Sequence, residues 1–204
     1  MLRGMPRWEP DGVGRLQAAA LALFAEQGFE RTTVAEITER AGLTKRTFFN
    51  HFADKREVLF GPGSEAQREI VTREIAACHD ALPPVEAVVR GLQVAADTMF
   101  EERRDAVTRR SEIIEANPEL QERELRKRAA LTDAIAGALR TRGVDADTAL
   151  LSARAGVLVQ QTAMQRWTQS AENRPLREFL SDALLSLRTI VAKTADQTVG
   201  PSET

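Results

Sequence analysis

The chain has 204 residues, 43% of them hydrophobic and 28% charged, with 28 basic and 30 acidic side chains leaving a net charge of −2. This length can bury a substantial apolar interior, and the composition excludes a disordered or fibrous chain. One cysteine, Cys78, excludes an intramolecular disulfide and a cysteine-built metal cage.

Tyr is absent, and the 12 Gly and 8 Pro gather at a few points, which favours helices throughout. After a polar leader over residues 1–12, Leu16, Ala20, Leu23 and Phe24 form the stripe of an amphipathic helix that Gly28 closes. Thr33 and Glu36 have capping-box spacing and open a short second helix to Arg40. Gly42 makes a tight turn, and a third short helix follows with Phe48 and Phe52 on one face. Asp54 and Glu57 open a fourth helix, which Gly61-Pro62-Gly63 interrupts or kinks before it resumes to His79. Longer helices follow, one with Val85, Val88, Leu92, Ala96 and Met99, and a shorter one from Ala106 to Ala116. Asn117 is read as the N-cap and Pro118 as the first residue of the next, which runs to about Arg142. A helix from Ala146 to Gln169 is apolar nearly all round. A last one begins at Pro175 and carries Leu176, Leu180, Leu184, Leu187 and Val191. The expectation is an all-α chain of nine helices with a flexible tail over 195–204.

No apolar run reaches the ~20 residues of a membrane span, and the first residues lack the apolar core of a secretion signal. A cytoplasmic chain without a membrane partner is expected. Overall acidity hides a local excess: residues 44–56 hold Lys45, Arg46, Lys55 and Arg56 against Asp54 alone. In the segment from Thr33 to Phe52, Ile37, Leu43, Phe48 and Phe52 would face inward, and Thr44, Lys45, Arg46, Thr47 and Asn50 outward. That is the division a helix-turn-helix needs, and equally that of an ordinary helical hairpin with a solvated charged face.

Residues 23–29 (Leu-Phe-Ala-Glu-Gln-Gly-Phe), 32–37 (Thr-Thr-Val-Ala-Glu-Ile), 41–52 (Ala-Gly-Leu-Thr-Lys-Arg-Thr-Phe-Phe-Asn-His-Phe) and 55–59 (Lys-Arg-Glu-Val-Leu) closely resemble the DNA-binding domain of the TetR family of transcriptional regulators. The resemblance implies a DNA-binding domain over 13–60 and a ligand-binding and dimerisation domain over 61–194. It implies a homodimer on a palindromic double-stranded DNA operator, a repressor released by a small, largely apolar effector, and no enzyme. Thr44, Lys45, Arg46, Thr47 and Phe49 become the recognition surface with Asn50, and Arg46 becomes the base reader. Thr33 and Lys55 become phosphate contacts. His51 stands where the family usually has a tyrosine that contacts phosphate, and would donate from its ring; Phe49 also replaces a usual tyrosine, and Arg46 a frequent glycine. A helical small-molecule or lipid carrier that kept the fold without operator binding is the alternative.

Catalytic constellations are not apparent: there is no nucleophile elbow, phosphate-binding Gly loop or H-E-x-x-H. Cys78 and His79 are adjacent, so on a helix they diverge by about 100° and do not converge on a metal. No cofactor or metal is expected. Met99, Phe100, Gln160, Gln161, Met164 and Trp167 are candidates to line the effector cavity. Asn117-Pro118-Glu119-Leu120 together with Trp167 resembles the regulators associated with mycofactocin, which respond to long acyl-CoA thioesters.

Overall fold

The computed structural model describes residues 12–101 and 103–198. The expected leader falls outside these apart from Gly12, and the expected tail falls outside them apart from 195–198, which are helical. Among the described residues there are nine helices and no strand: α1 (Gly12–Gln27), α2 (Val34–Arg40), α3 (Lys45–His51), α4 (Glu57–Ala77), α5 (Pro84–Met99), α6 (Arg104–Glu115), α7 (Pro118–Thr141), α8 (Ala146–Gln169) and α9 (Leu176–Thr198). None is long and apolar enough to cross a membrane. No group of three or more His, Cys, Asp or Glu among the described residues could hold a metal ion.

The chain divides into two compact units. The first comprises residues up to 63 together with 108–124, and the second comprises 64–107 and 125 onward. In the first unit, the α1 stripe of Leu16, Ala20, Leu23 and Phe24 is buried with Phe29, Ile37, Phe48 and Phe52. Ile113, Ile114 and Leu120 join the same core, so the corner between α6 and α7 packs with the N-terminal helices. Asn117 sits at that corner. Its side chain turns backward and donates through Nδ2 to the Ile113 carbonyl at 2.6 Å, closing α6, where an N-cap for α7 was expected. Pro118 is the first residue of α7, as expected.

The second unit is built around α5, α8 and α9. The inward face of α8, with Ala149, Ala153, Gly156, Ala163 and Trp167, is buried, and its small residues let neighbouring helices approach closely. At Gly156 a methyl group would lie 2.2 Å from Val88 Cγ1 of α5. Gly156→Ala is therefore expected to destabilise the protein by about 1–3 kcal/mol through overpacking. Thermal denaturation should show this as a drop of roughly 2–4 °C per kcal/mol for a chain of this size. An unchanged melting temperature would mean that α5 and α8 separate freely.

The outer side of α8 exposes Leu151 and Leu158, which is why its sequence reads as apolar nearly all round. The apolar row of α9 divides between two sides. Leu176 and Leu180 are buried in the unit's own core, with Leu184 and Leu187 packed partly against it. Leu185, Ile190 and Val191 stand outward at 64%, 64% and 62% exposure.

Candidate nucleic-acid interface

The segment from Thr33 to Phe52 is held by local polar closures at each of its ends. Thr33 Oγ1 accepts the Glu36 amide at 3.3 Å, and the Glu36 carboxylate accepts the Thr33 amide at 2.7 Å and its hydroxyl at 2.8 Å. These bonds hold the Glu36 carboxyl below the usual carboxylate range, the backbone amide of Thr33 contributing most. The helix leaves through Ala41 and Gly42. The Leu43 amide donates to Thr38 O and the Gly42 amide to Glu39 O, the paired bonds of a Schellman turn. Gly42 has φ of 64°, a left-handed conformation that glycine adopts without penalty. Arg15 Nη2 donates to Ala41 O at 2.6 Å, and a Cβ on Gly42 would lie 2.8 Å from the same nitrogen. Both the turn and its bracing from α1 therefore require the glycine.

Thr44 caps α3, its Oγ1 accepting the Thr47 amide at 3.1 Å and lying 2.9 Å from Thr47 Oγ1. Phe48 is fully buried, 5.2 Å from Phe52 between ring centroids, and fixes which face of α3 points outward. Lys45, Arg46, Phe49, Asn50 and His51 occupy that outward face, with Phe49 56% exposed. The side chains of Lys45, Arg46 and Asn50 make no hydrogen bond or ion pair among the described residues. His51 lies at the end of the helix with its ring 6.3 Å from Phe52, edge to face.

The other two cations of the basic segment are engaged within the unit. Lys55 Nζ donates to the Phe29 carbonyl at 2.7 Å and stands 4.1 Å over the Phe29 ring, bracing the loop between α1 and α2. A lysine expected to face phosphate thus has its ammonium directed at a backbone carbonyl, which also accepts the Thr32 amide at 3.3 Å. Arg56 pairs with Asp54 at 2.7 Å, and Glu119 is 4.0 Å away. Burial raises the Asp54 carboxyl, but the Arg56 guanidinium and the Arg56 and Glu57 amides outweigh it, leaving the group below its ordinary value.

Within α4, Gly61 has φ of 26° and ψ of −162°, a break in the helix where the sequence places Gly-Pro-Gly. Arg110 lies against it: Nε donates to Leu59 O at 2.7 Å, the guanidinium is 5.0 Å over Phe60, and Nη2 reaches Glu124 at 2.7 Å. Arg123 Nε donates to Glu57 at 2.6 Å. These arginines hold the α6–α7 corner to the start of α4. No local pattern marks their role, since the contacts join residues far apart in the chain.

In the second unit, Met99, Phe100 and Met164 pack partly buried against the core, and Trp167 is only 2% exposed. Arg104 lies 5.4 Å over the Trp167 ring and donates to the carbonyls of Trp167, Ser170 and Glu172, closing the end of α8. Gln160 and Gln161 are half-buried. A cleft of about 260 Å³ lies between α7 and α8, and of these six residues only Gln161 borders it. The apolar candidates are turned into the helix packing, where their burial is most favourable.

Residues 16–60 match the bacterial regulatory proteins of the tetR family, and residues 82–192 match the MftR C-terminal domain. The HTH-type transcriptional regulator TcmR of Streptomyces glaucescens is 54% identical over 43 residues, 21% of this chain and 19% of that protein. The HTH-type transcriptional repressor KstR2 of Mycobacterium tuberculosis is 41% identical over 46 residues, 22% of this chain and 23% of that protein. The chain is thus aligned with about a fifth of the length of these curated relatives. Among solved structures, Thermus thermophilus FadR, a TetR family transcriptional repressor in complex with lauroyl-CoA, has a TM-score of 0.50 at 28% identity, covering 86% of this chain and 92% of that one. SmeT, the repressor of a multidrug efflux pump of Stenotrophomonas maltophilia, was solved with triclosan. It shares the fold at a TM-score of 0.58 and 21% identity, covering 86% of this chain and 88% of its own.

Proposed function

Because the chain belongs to the tetR family of bacterial regulatory proteins, with an MftR C-terminal domain over more than half its length, we propose that it is a ligand-responsive repressor that binds a palindromic operator as a homodimer. The observation that carries this reading is the outward face of α3, where Lys45, Arg46, Phe49 and Asn50 are displayed on a helix anchored by the buried Phe48. Arg46 presents a planar fork suited to the O6 and N7 of guanine. Lys45, the capping hydroxyls of Thr33, Thr44 and Thr47, and the ring nitrogens of His51 are suited to phosphates, which position the protein without specifying sequence. Lys55 contributes by holding the loop that precedes α2.

Arg46→Ala is expected to reduce the preference for operator over scrambled DNA by about 1–3 kcal/mol. Lys45→Ala is expected to weaken both alike and to lower the salt slope of binding by about 0.9. Gel shifts on DNA upstream of the protein's own gene, titrated over salt, test both expectations. Equal weakening of operator and scrambled DNA by Arg46→Ala would remove its base-reading role. An absence of any shift with the wild-type protein would remove the operator reading itself.

The effector is proposed to be a largely apolar acyl compound, supported by the lauroyl-CoA that the FadR structure holds. Its signal is proposed to pass through α4, whose residues 57–63 belong to the first unit and whose remainder belongs to the second. Gly61 is the pivot of this reading. At φ of 26° a larger residue there is strained, and its Cβ would lie 3.0 Å from both Gln17 and Phe52. Gly61→Ala therefore disturbs α4 as well as stiffening it.

A further inference from the structure

We infer that Phe49 is a specificity-determining residue, whose ring covers the 5-methyl group of a thymine in the operator. This rests on the reading of α3 as the helix that enters DNA. Phe49 is 56% exposed, and among the described residues it is the only large apolar side chain of the first unit that stands so far in the open. The others, such as Leu151 and Leu185, belong to the second unit. Its ring is held in one direction. It meets the ring of Phe48 edge to face, with centroids 5.4 Å apart and planes at 80°, and Phe48 is fully buried. Such a pair is favourable beyond the area it buries, so the core of the unit aims Phe49 outward. Arg46, three positions earlier, is also exposed. Residues three apart share a helix face, so the phenyl ring and the guanidinium reach the same groove.

A phenyl ring neither donates nor accepts a conventional hydrogen bond, which decides what it can cover. Set against a phosphate it has no donor to offer. Set against the donors and acceptors of a guanine, adenine or cytosine edge it would displace their water and leave them unsatisfied, which is costly. In the major groove thymine alone presents a methyl group, and apolar contact with that methyl both relieves the exposed ring and adds to binding. The operator reading assigns guanine to Arg46, so the two side chains together read two different bases. Three residues rise about 4.5 Å along a helix, little more than one base-pair step of about 3.4 Å. The thymine is therefore placed within about two base pairs of the guanine.

The test uses the full-length protein and a duplex that it selects from a random pool. Each thymine of that duplex is replaced in turn by deoxyuridine, which keeps the base pair and removes only the methyl group. The wild type is expected to lose about fourfold in affinity at one such position in a half-site, and about fifteenfold when both half-sites are changed. Phe49→Ala is expected to bind the thymine and deoxyuridine duplexes equally, and Phe49→Leu to keep most of the preference. Each variant is compared with itself on the two duplexes, so a loss of folded protein lowers both affinities alike and leaves their ratio unchanged. Arg46→Ala is expected to keep the thymine preference, because the methyl group is not its contact. Equal binding of the two duplexes by the wild type at every position would overturn the proposal and leave the operator reading intact. A thymine preference that persisted in Phe49→Ala would overturn it in the same way. A wild type that selects no sequence from the pool would overturn the operator reading and this proposal together.

Discussion

Phe48→Ala is expected to destabilise the first unit by about 3–5 kcal/mol, the cost of removing a buried aromatic ring. Operator binding should be lost with it. The ring is fully buried, contacts Phe52 at 5.2 Å and Phe49 at 5.4 Å, and joins the core that contains Leu16, Ile37 and Leu120. Helix α3 is seven residues long and too short to persist by backbone bonding alone, so its conformation depends on that burial and on the Thr44 cap. Chemical denaturation followed by circular dichroism, with gel shifts below the transition, measures both effects. A variant that kept wild-type stability yet lost DNA binding would show that Phe48 acts at the interface and not in the core.

Replacing Leu185 and Ile190 together with glutamate is expected to give monomers whose operator affinity falls by about 10²-fold or more. These are the most exposed apolar side chains of α9, and Leu151 and Leu158 stand exposed on α8. Scattered exposed leucines are ordinary, but several on two adjoining helices are where the proposed homodimer would place its interface. Two half-sites are read together only if two recognition helices are joined, and separate monomers lose that multiplication. Sedimentation velocity at micromolar concentration gives the oligomeric state, and the same samples are used for DNA titration. A wild type that sediments as a monomer would remove the proposed homodimer, and a double variant that remains dimeric would place its interface elsewhere.

Helix boundaries were legible wherever a short-range device set them. The capping box at Thr33, the turn at Gly42 and the break at Gly61 each depend on residues a few positions apart, and each appears in the structure. The outward face of α3 was readable for the same reason, because Phe48 and Phe52 determine which side is buried. Side chains that answer distant groups were not readable. Lys55 turns to Phe29 O across 26 positions, and Arg110 reaches Leu59 O across 51. Asn117 had two helix ends within reach and closed the earlier one. Apolar rows on α8 and α9 state that burial occurs and not which neighbour provides it. Leu176 and Leu180 therefore face their own core while Leu185 and Ile190 face outward.

The division of labour within α3 bears on how such a protein changes its target. Phe48, Thr44 and Gly42 hold the helix in place, and none of the displayed side chains at 45, 46 and 50 contributes a hydrogen bond or ion pair to the fold among the described residues. Substitutions at these three positions are close to neutral for stability, so if they read DNA as proposed, a descendant could exchange one DNA preference for another without passing through an unfolded intermediate. A library randomised at 45, 46 and 50 should keep most members folded while diversifying the sequences they select, which makes this scaffold a ready source of regulators orthogonal to their parent.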